Sequence, residues 1–465
     1  MKLTISNPKE WYNNTKQFFG LSKDKVTVTL PDRTRYNSLI KYPIFRQHLR
    51  KISIEEDDQN SYYTGMLNSI SEHGCGSVPM LLGDHSDPKV NNAVEDAWYN
   101  WCVNNGIGTA IRQIRRAAAR TGVGIGIPYI MNNAIDKIPL GIKPLSVMDL
   151  STPLDKINDD HTIDGITYDN NWDIEAIHVK SGIFQTKTYE AKDILIWYKK
   201  TKEDQYIGMP ECGPAFCLFP SVRRFMDAIV RSEELNQSIA MMVELDPLVY
   251  KVEDASAIPE GKFEYEPGMI PTLPPGMKLV AHSAGPRSAE RVQYIELVIG
   301  AAARCINMPK TLALGDSSGS NMSVASYDVQ PWKNRVKIDR IDYEPIPRKI
   351  FSMWASLAEL KEDYLPAPVR SQLNKLTFKF NYDYVFEHPD PNKNAAARMT
   401  DLITGSTTLY NIYSERGKNA RREIEREATL LRIDPQDLID SFIVGRSPAA
   451  LTIIKDVPGA NDNGT

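Results

Sequence analysis

The chain has 465 residues, 42% of them hydrophobic and 25% charged, with a mean hydropathy of -0.37. This is the composition of a globular protein too long for one ordinary core, so two or three domains, or one domain with a large excursion, are expected. Fifty-five basic residues against 59 acidic ones leave a formal net charge of -4, which excludes an overall positive field that would hold nucleic acid or an anionic membrane.

The N-terminal segment has no continuous apolar run, and no uninterrupted apolar stretch of ~18 residues occurs anywhere, so neither a signal peptide nor a membrane span is expected. The five cysteines (Cys75, Cys102, Cys212, Cys217 and Cys305) show neither paired CxxC spacing nor a disulfide framework, which fits a reducing compartment. The seven histidines are scattered without metal-ligand spacing, so no metal or cofactor is expected.

After a polar opening, "YYTGMLNSISEHG" and "NNAVEDAWYNWCVNNGIGTAIRQIRRAAARTG" read as helical. In the second, Val94, Ala97, Trp98, Trp101 and Cys102 recur at steps of three and four, and Gly122 provides a stop. Trp98 and Trp101 share a face and read as core. From about 123 to 200, short β-rich runs ("GIGIPYIM", "IEAIHVKSG", "DILIWYKK") alternate with turn residues, giving an α+β fold class. The "GVGIG" at 122–126 lacks the spacing of a dinucleotide fingerprint, and its glycines read as bulge or turn positions.

Ser221 to Leu245 carries an apolar stripe of Val222, Phe225, Met226, Ile229, Val230, Leu235, Ile239, Met242 and Val243, predicting a long helix. Arg223 with Asp227, and Asp227 with Arg231, are spaced for ion pairs on its outer face. Seven prolines between 246 and 287 exclude helix and predict a compact β-rich lobe with pieces such as "LVYKV", "KFEYEPGMI" and "MKLVAH". A second helix follows in "SAERVQYIELVIGAAARCINMP", with Ser288 as its N-cap and a stripe of Val292, Ile295, Ile299, Ala302 and Ile306. Next comes the small-residue stretch "LALGDSSGSNMSVASYD". From 326 to 362 a helix interrupted at Pro331, Pro345 and Pro347 is expected to be stepped. A β-rich "LTFKFNYDYVF" precedes two or three short helices broken at Gly405 and Gly417, and the last dozen residues read as disordered.

Gly-Asp-Ser-Ser-Gly within the small-residue stretch resembles a protease nucleophile turn. A triad would need His282, the nearest upstream histidine, yet a helix lies between it and Ser317, and the flanks of the stretch are helical. A phosphate-binding turn is excluded because Gly319 is followed by Ser320 and Asn321 with no lysine between Lys310 and Lys333. Gly, Ser and Asp are the residues of turns, and a flexible loop is the better reading.

The order helix, proline-rich lobe, helix, small-residue loop, stepped helix resembles the tailed-bacteriophage portal proteins of the lambda type, over roughly residues 60 to 430. "GMPECGPAF" (208–216) is similar to the family's Gly-Met-Pro segment and "PPGMKLV" (274–280) to its Pro-Gly-Glu turn. "AARCINMPKTLALGDSSGSNMSVAS" (302–326) is similar to its helix end and loop, and "DPNKNAAARMTDLITGSTT" to its C-terminal Asp-Pro-x-Lys segment. The chain departs from the pattern at Met322, where a tyrosine is expected, and at Val324 and Ala325, where an arginine is expected. The family's N-terminal basic block is only loosely present in "RTRYNSLIKYPIFRQHLRK".

The resemblance implies a portal fold of wing, stem, clip and crown, forming a ring, usually a dodecamer, at one capsid vertex. Double-stranded DNA would pass through its channel during packaging and ejection. Residues 1–218 would be the N-terminal part of the wing, 219–245 the first stem helix, 246–287 the clip, 288–306 the second stem helix, 307–324 the tunnel loop, 325–389 the rest of the wing, and 390–465 the crown and tail. Lys310, Asp316, Ser317, Ser318, Gly319, Ser320 and Asn321 would face the channel. Arg223, Asp227, Arg231, Arg291 and Glu296 would belong to the stem, and Lys251, Glu253, Lys262, Glu264 and Glu266 to the clip that docks motor and adaptor. Implied partners are the terminase large subunit, a head–tail adaptor, and the major capsid and scaffold proteins. The implied location is the virion, after assembly in the host cytoplasm, and no enzymatic activity is implied. A net acidic chain suits a polymer that must slide, because each cation matched to a phosphate adds salt-dependent grip. The alternatives are another head–tail connector or ring protein, which would be much shorter, and a hydrolase using the Gly-Asp-Ser-Ser-Gly loop.

Overall fold

The computed structural model describes residues 43–444 except 84, 86, 133, 158, 183–184, 203–204, 239–240, 246–276, 282–287, 319–320, 372, 374–375, 377, 383–390 and 417. The N-terminal opening, the disordered-tail expectation, and the pieces "LVYKV" and "KFEYEPGMI" fall wholly or largely outside these residues.

The first helix among the described residues, α1 (Pro43–Gln59), lies where the sequence reads as merely polar. Its buried face includes Phe45, Leu49 and Ile52 together with Arg46, Arg50 and Glu56, and the charged residues mask the apolar period. It packs on α2 (Ser61–Cys75), whose N-cap Asn60 accepts from the backbone of Tyr62 and Tyr63. The single long helical stretch predicted around Trp98 is two helices, α3 (Pro88–Asn104) and α4 (Ile107–Thr121). The break falls at Asn105 and Gly106, where Gly106 takes a left-handed conformation that stops the first helix. Trp98 and Trp101 are fully buried, with Trp98 also packed edge-on to Trp354.

Strand β1 is Met80–Gly83, β2 is Gly124–Ile130 and β3 is Leu140–Leu145. Next come β4 (Thr162–Ile163), β5 (Ile166–Tyr168), β6 (Ile174–Lys180), β7 (Thr186–Glu190) and β8 (Leu195–Trp197). They form a three-stranded sheet in the order β3-β2-β8 and a four-stranded meander β4-β5-β6-β7, antiparallel throughout. Their shared core contains Val123, Ile125, Ile166, Tyr168, Ile177 and Ile194. The architecture is α+β.

Helix α5 runs Phe219–Ser238, about 30 Å at 1.5 Å per residue, and not to Leu245 as the apolar stripe predicts. Met241–Leu245 is strand β9, paired antiparallel with β10 (Met277–Ala281), and the backbone ladder between these distant segments overrides the helical spacing. Helix α6 is Ser288–Arg304, and the residues just before it, 282–287, lie outside the described residues.

Lys310–Leu314 is a short helix, α7, within the segment read as loop, and Met322–Asp328 is another, α8. The prolines step the following helix as expected. Helix α9 (Gln330–Tyr343) begins with Pro331 in its first turn, and α10 (Pro345–Leu360) restarts after Glu344. Then come α11 (Ala367–Arg370) and β11 (Phe378–Asn381), which pairs with β1. The stretch from 390 to 434 holds three short helices, within the two or three expected, α12 (Pro391–Thr404), α13 (Leu409–Glu415) and α14 (Ala420–Leu431), and α15 (Pro435–Val444) follows it. Gly405 breaks the first from the second, and Gly417 lies outside the described residues.

Candidate functional site

Helices α5 and α6 pack side by side. At their base Phe219, Val222, Val298, Ile299, Ala302, Ala303 and Ile306 share a core with Tyr63, Met66 and Ile70 of α2. Further along, the rings of Phe225 and Tyr294 meet at 4.5 Å, and Arg291 pairs with Glu233 across the two helices. Of the expected stripes, Val222, Ile299, Ala302 and Ile306 are buried, while Met226, Val230 and Val292 are exposed, and so is Leu297 at 70%. The pair therefore has a buried base and an uncovered apolar flank.

Arg223 does not pair with Asp227. Its guanidinium donates to Glu56 Oε1 of α1 at 2.5 Å and to Gln59. Burial pushes the Glu56 carboxyl up, with Arg223 opposing, so the nearly enclosed carboxylate offers more than an exposed neighbour on the same helix. Among the described residues no ion pair joins Asp227 to Arg223 or Arg231.

Lys310 sits at the start of α7, and its Nζ donates to Glu296 Oε2 at 2.6 Å. The lysine stem passes Gly300, where a Cβ would stand 3.4 Å from Lys310 Cγ, an ordinary contact that does not itself require glycine. Helix α7 ends at Gly315, whose φ of 68° is the left-handed conformation that glycine adopts without strain. Between α7 and α8 the described residues 315–318 and 321 are non-helical, and the two short helices lie within or overlap the 307–324 segment. Asp316 Oδ1 accepts from the Ser318 backbone N–H at 2.8 Å, which closes a local turn and lowers the Asp316 pKa. Ser317, Ser318 and Asn321 are exposed, and Gly319 and Ser320 lie outside the described residues. Lys251, Glu253, Lys262, Glu264, Glu266 and His282 also lie outside them. A cleft beneath the loop is lined by Tyr62, Val292, Ile295, Glu296, Leu314 and Asp316.

A constellation that the sequence reading missed underlies this region. Arg115 of α4 is fully buried and donates to Asp339 Oδ2 of α9 at 2.6 Å, while its other terminal nitrogen lies 2.7 Å from Glu211 Oε1. Arg335 pairs with Glu211, Lys199 with Asp339, and the Arg115 guanidinium stacks over Trp197. Burial alone would raise the Asp339 carboxyl, but the charges of Arg115, Arg335 and Lys199 outweigh it and hold it well below the usual range. Glu211 is lowered in the same way, by Arg115 and Arg335 against its burial. The signal was present in the sequence: Arg115 follows Ile111 by four and precedes Ala118 by three, placing a charge on the apolar face of α4. Asp339 stands likewise between Val336 and Tyr343 on the buried face of α9.

The Gly-Met-Pro segment carries Glu211 into this network. Gly208 lies back to back with Gly122, so close that a Cβ on Gly208 would be 1.7 Å from the Gly122 carbonyl oxygen. Gly124 is a matter of approach and not of a bulge: a Cβ there would meet the Ile114 carbonyl oxygen at 2.3 Å. The basic N-terminal stretch is likewise structural where it is described, since Arg46 and Arg50 both bind Asp164 in the β4–β5 turn, at 2.9 and 2.8 Å.

A family model described as phage portal protein, lambda family, matches residues 46–330, more than half of the chain. The chain belongs to the lambda family of phage portal proteins. Solved structures similar to this portal chain include the neck of a native gene transfer agent particle computed with C12 symmetry. That similarity has 13% identity and a TM-score of 0.40, covering 77% of this chain and 90% of that one. Another is the virion of a native gene transfer agent particle, at 11% identity and TM-score 0.38, covering 78% and 88%. A third is the neck of an empty particle computed with C6 symmetry, at 11% identity and TM-score 0.42, covering 82% and 94%. No curated protein sequence matches the chain.

Within the portal match fall the α5–α6 pair, Glu211, the short helix α7 and the loop, whereas the C-terminal helices α12 to α15 lie beyond it. Among the described residues no helix is long and apolar enough to cross a membrane.

Proposed function

We propose that this portal protein is one subunit of a ring, of twelve copies in the family's usual form, at a capsid vertex, with double-stranded DNA passing along its axis during packaging and ejection. The observation that carries this reading is the helix pair α5–α6, buried at its base yet apolar along an uncovered flank, within a chain that matches the portal family. Exposed Met226, Val230, Val292 and Leu297 are costly for a lone subunit and are covered when copies stand side by side.

On this reading Phe219–Ser238 and Ser288–Arg304 are the stem, and 239–287 belongs to the clip together with its two strands. Residues 315–321 are the tunnel loop, the sheets and α9–α10 form the wing, and residues from 390 onward form the crown. The clip, with Lys251, Glu253, Lys262, Glu264 and Glu266, would dock the terminase large subunit and later a head–tail adaptor, while the wing would meet major capsid and scaffold proteins. The protein would assemble in the host cytoplasm and reside at the portal vertex of the virion as a structural component with no reaction of its own.

The deciding experiment is negative-stain microscopy of the purified chain together with light scattering. Rings with an axial opening are expected, and a monomer at every concentration would overturn the reading. Deleting 315–320 should leave rings intact while reducing DNA-filled particles in a packaging assay.

A further inference from the structure

A row of polar side chains crosses the β4–β7 meander from one side to the other. It begins at Asp159, in the turn before β4, and passes through Thr162 of β4, Thr167 of β5 and His178 of β6. It ends at Thr188 of β7, the outer strand of that sheet. Thr162, Thr167 and His178 are buried, whereas Thr188 is exposed. Each step is a hydrogen bond by distance. Thr162 Oγ1 lies 2.8 Å from Asp159 Oδ2 and 3.0 Å from Thr167 Oγ1. The two imidazole nitrogens continue the row, Nε2 at 2.8 Å from Thr167 Oγ1 and Nδ1 at 2.8 Å from Thr188 Oγ1. His178 and Thr188 stand directly opposite each other in the β6–β7 register, which brings about the last contact.

The chemistry of one end fixes every proton along the row. An ionised carboxylate only accepts, and each hydroxyl has a single proton to give. Hydrogen bonds from Thr162 and from the His161 backbone hold the Asp159 carboxyl below its usual range, so it is ionised at neutral pH. Thr162 therefore donates to Asp159 and accepts from Thr167. With its proton committed there, Thr167 accepts from His178 Nε2–H, and its remaining lone pair faces Lys156 Nζ at 3.5 Å. Nδ1 is left without a proton, and the Thr188 hydroxyl donates to it. Reversing the row would set lone pairs of Thr162 and Asp159 against each other at 2.8 Å.

We propose that Asp159 is a positioning residue that, through Thr162 and Thr167, fixes His178 as the Nε2–H tautomer, and that His178 and Thr188 form a proton-operated switch on the outer strand of the sheet. While the imidazole is neutral, the Thr188 proton points inward and the hydroxyl offers solvent only a lone pair. When Nδ1 takes up a proton from water, Nδ1–H donates to Thr188 Oγ1 and the hydroxyl proton turns outward. Only that last bond reverses, because Nε2 already donates to Thr167. The surface of β7 thus changes at this point from acceptor to donor, with each buried hydrogen bond kept. Burial, and after it the charge of Lys156, hold the imidazole below its ordinary value against Asp155, so the neutral form is the one present at neutral pH.

The test is magic-angle-spinning NMR of the sedimented full chain, isotopically labelled at carbon and nitrogen in histidine, which reads a monomer and a ring alike. The His178 signals are those that respond to Thr188→Val, where Nδ1 should shift to the value of an unbonded nitrogen while Nε2 stays. At neutral pH the Nε2–H tautomer should exceed the other by about fivefold or more, the preference that one net hydrogen bond sustains. Asp159→Ala should bring the two tautomers to comparable populations, and Asp159→Asn, which keeps an acceptor oxygen, should lie between. On acidification Nδ1 should gain a proton with Nε2 unmoved. A predominant Nδ1–H tautomer in the wild type, or an unchanged ratio in both Asp159 variants, would overturn the positioning role. Acidification that moves Nε2 to the value of a solvated imidazole would overturn the switch, since Thr167 would then have been released.

Discussion

The body around Arg115 and the helix pair α5–α6 handle charge and apolar surface in opposite ways. In the body, Arg115 is buried against the carboxylates of Glu211 and Asp339, with Arg115 and Asp339 side chains at 1% and 4% exposure, and the partly buried Arg335 and Lys199 complete the network. Along the helix pair, the one described ion pair between the two helices, Arg291 with Glu233, is partly exposed, and Leu297 faces outward at 70% exposure. A buried ion network gives little net stability compared with apolar packing, but breaking it is costly, so it fixes one arrangement of α4, α9 and the 208–216 segment. The exposed apolar side chains along the helix pair fix nothing within the subunit, and under the proposed function they are where copies meet.

If that contrast is correct, Asp339→Ala should have the largest effect, because Arg115, Arg335 and Lys199 are then left with Glu211 alone. A loss of about 3–5 kcal/mol is expected in urea unfolding. The same carboxylate sharpens the comparison through pH. Asp339 and Glu211 are more acidic folded than unfolded, so their contribution is complete above an unfolded value of about 4 and declines as pH falls through their lower folded values. The urea midpoint of the wild type should therefore fall on acidification below about pH 4 more steeply than that of Asp339→Asn.

Next in size is Gly208→Ala, which forces a methyl group against the Gly122 carbonyl and should cost about 1–3 kcal/mol. Leu297→Asp should change subunit stability by only about 0.5 kcal/mol, as for an exposed site, yet abolish assembly measured by light scattering. Unchanged assembly would show that this flank is not where copies meet. Smallest is Lys310→Ala: its half-exposed pair with Glu296 is worth about 0.2–1 kcal/mol at most. Rings should form normally, and a lower yield of DNA-filled particles is expected if the lysine meets DNA.

Much of this was legible in the residues themselves. Val94, Trp98 and Trp101 announce a core by spacing, and Pro331 and Pro345 announce the steps of α9 and α10 by removing backbone donors. What was hidden depends on partners far away in the chain. Met241–Leu245 continues a helical spacing and becomes a strand only because Met277–Ala281 lies beside it. Arg223 has a suitably spaced Asp227, and its choice of Glu56 requires knowing that α1 is there and that its carboxylate is enclosed. The charge on the apolar face of α4 could have been found by the same periodicity that located the helix, since a buried arginine demands buried carboxylates somewhere.

The ladder of β9 and β10 sets Leu245 opposite Met277, so whatever lies between departs and returns across a single rung. A cassette attached in this way can be lengthened, shortened or exchanged without disturbing the backbone on either side. Variation between residues 246 and 276 is thereby uncoupled from the dimensions of α5 and α6.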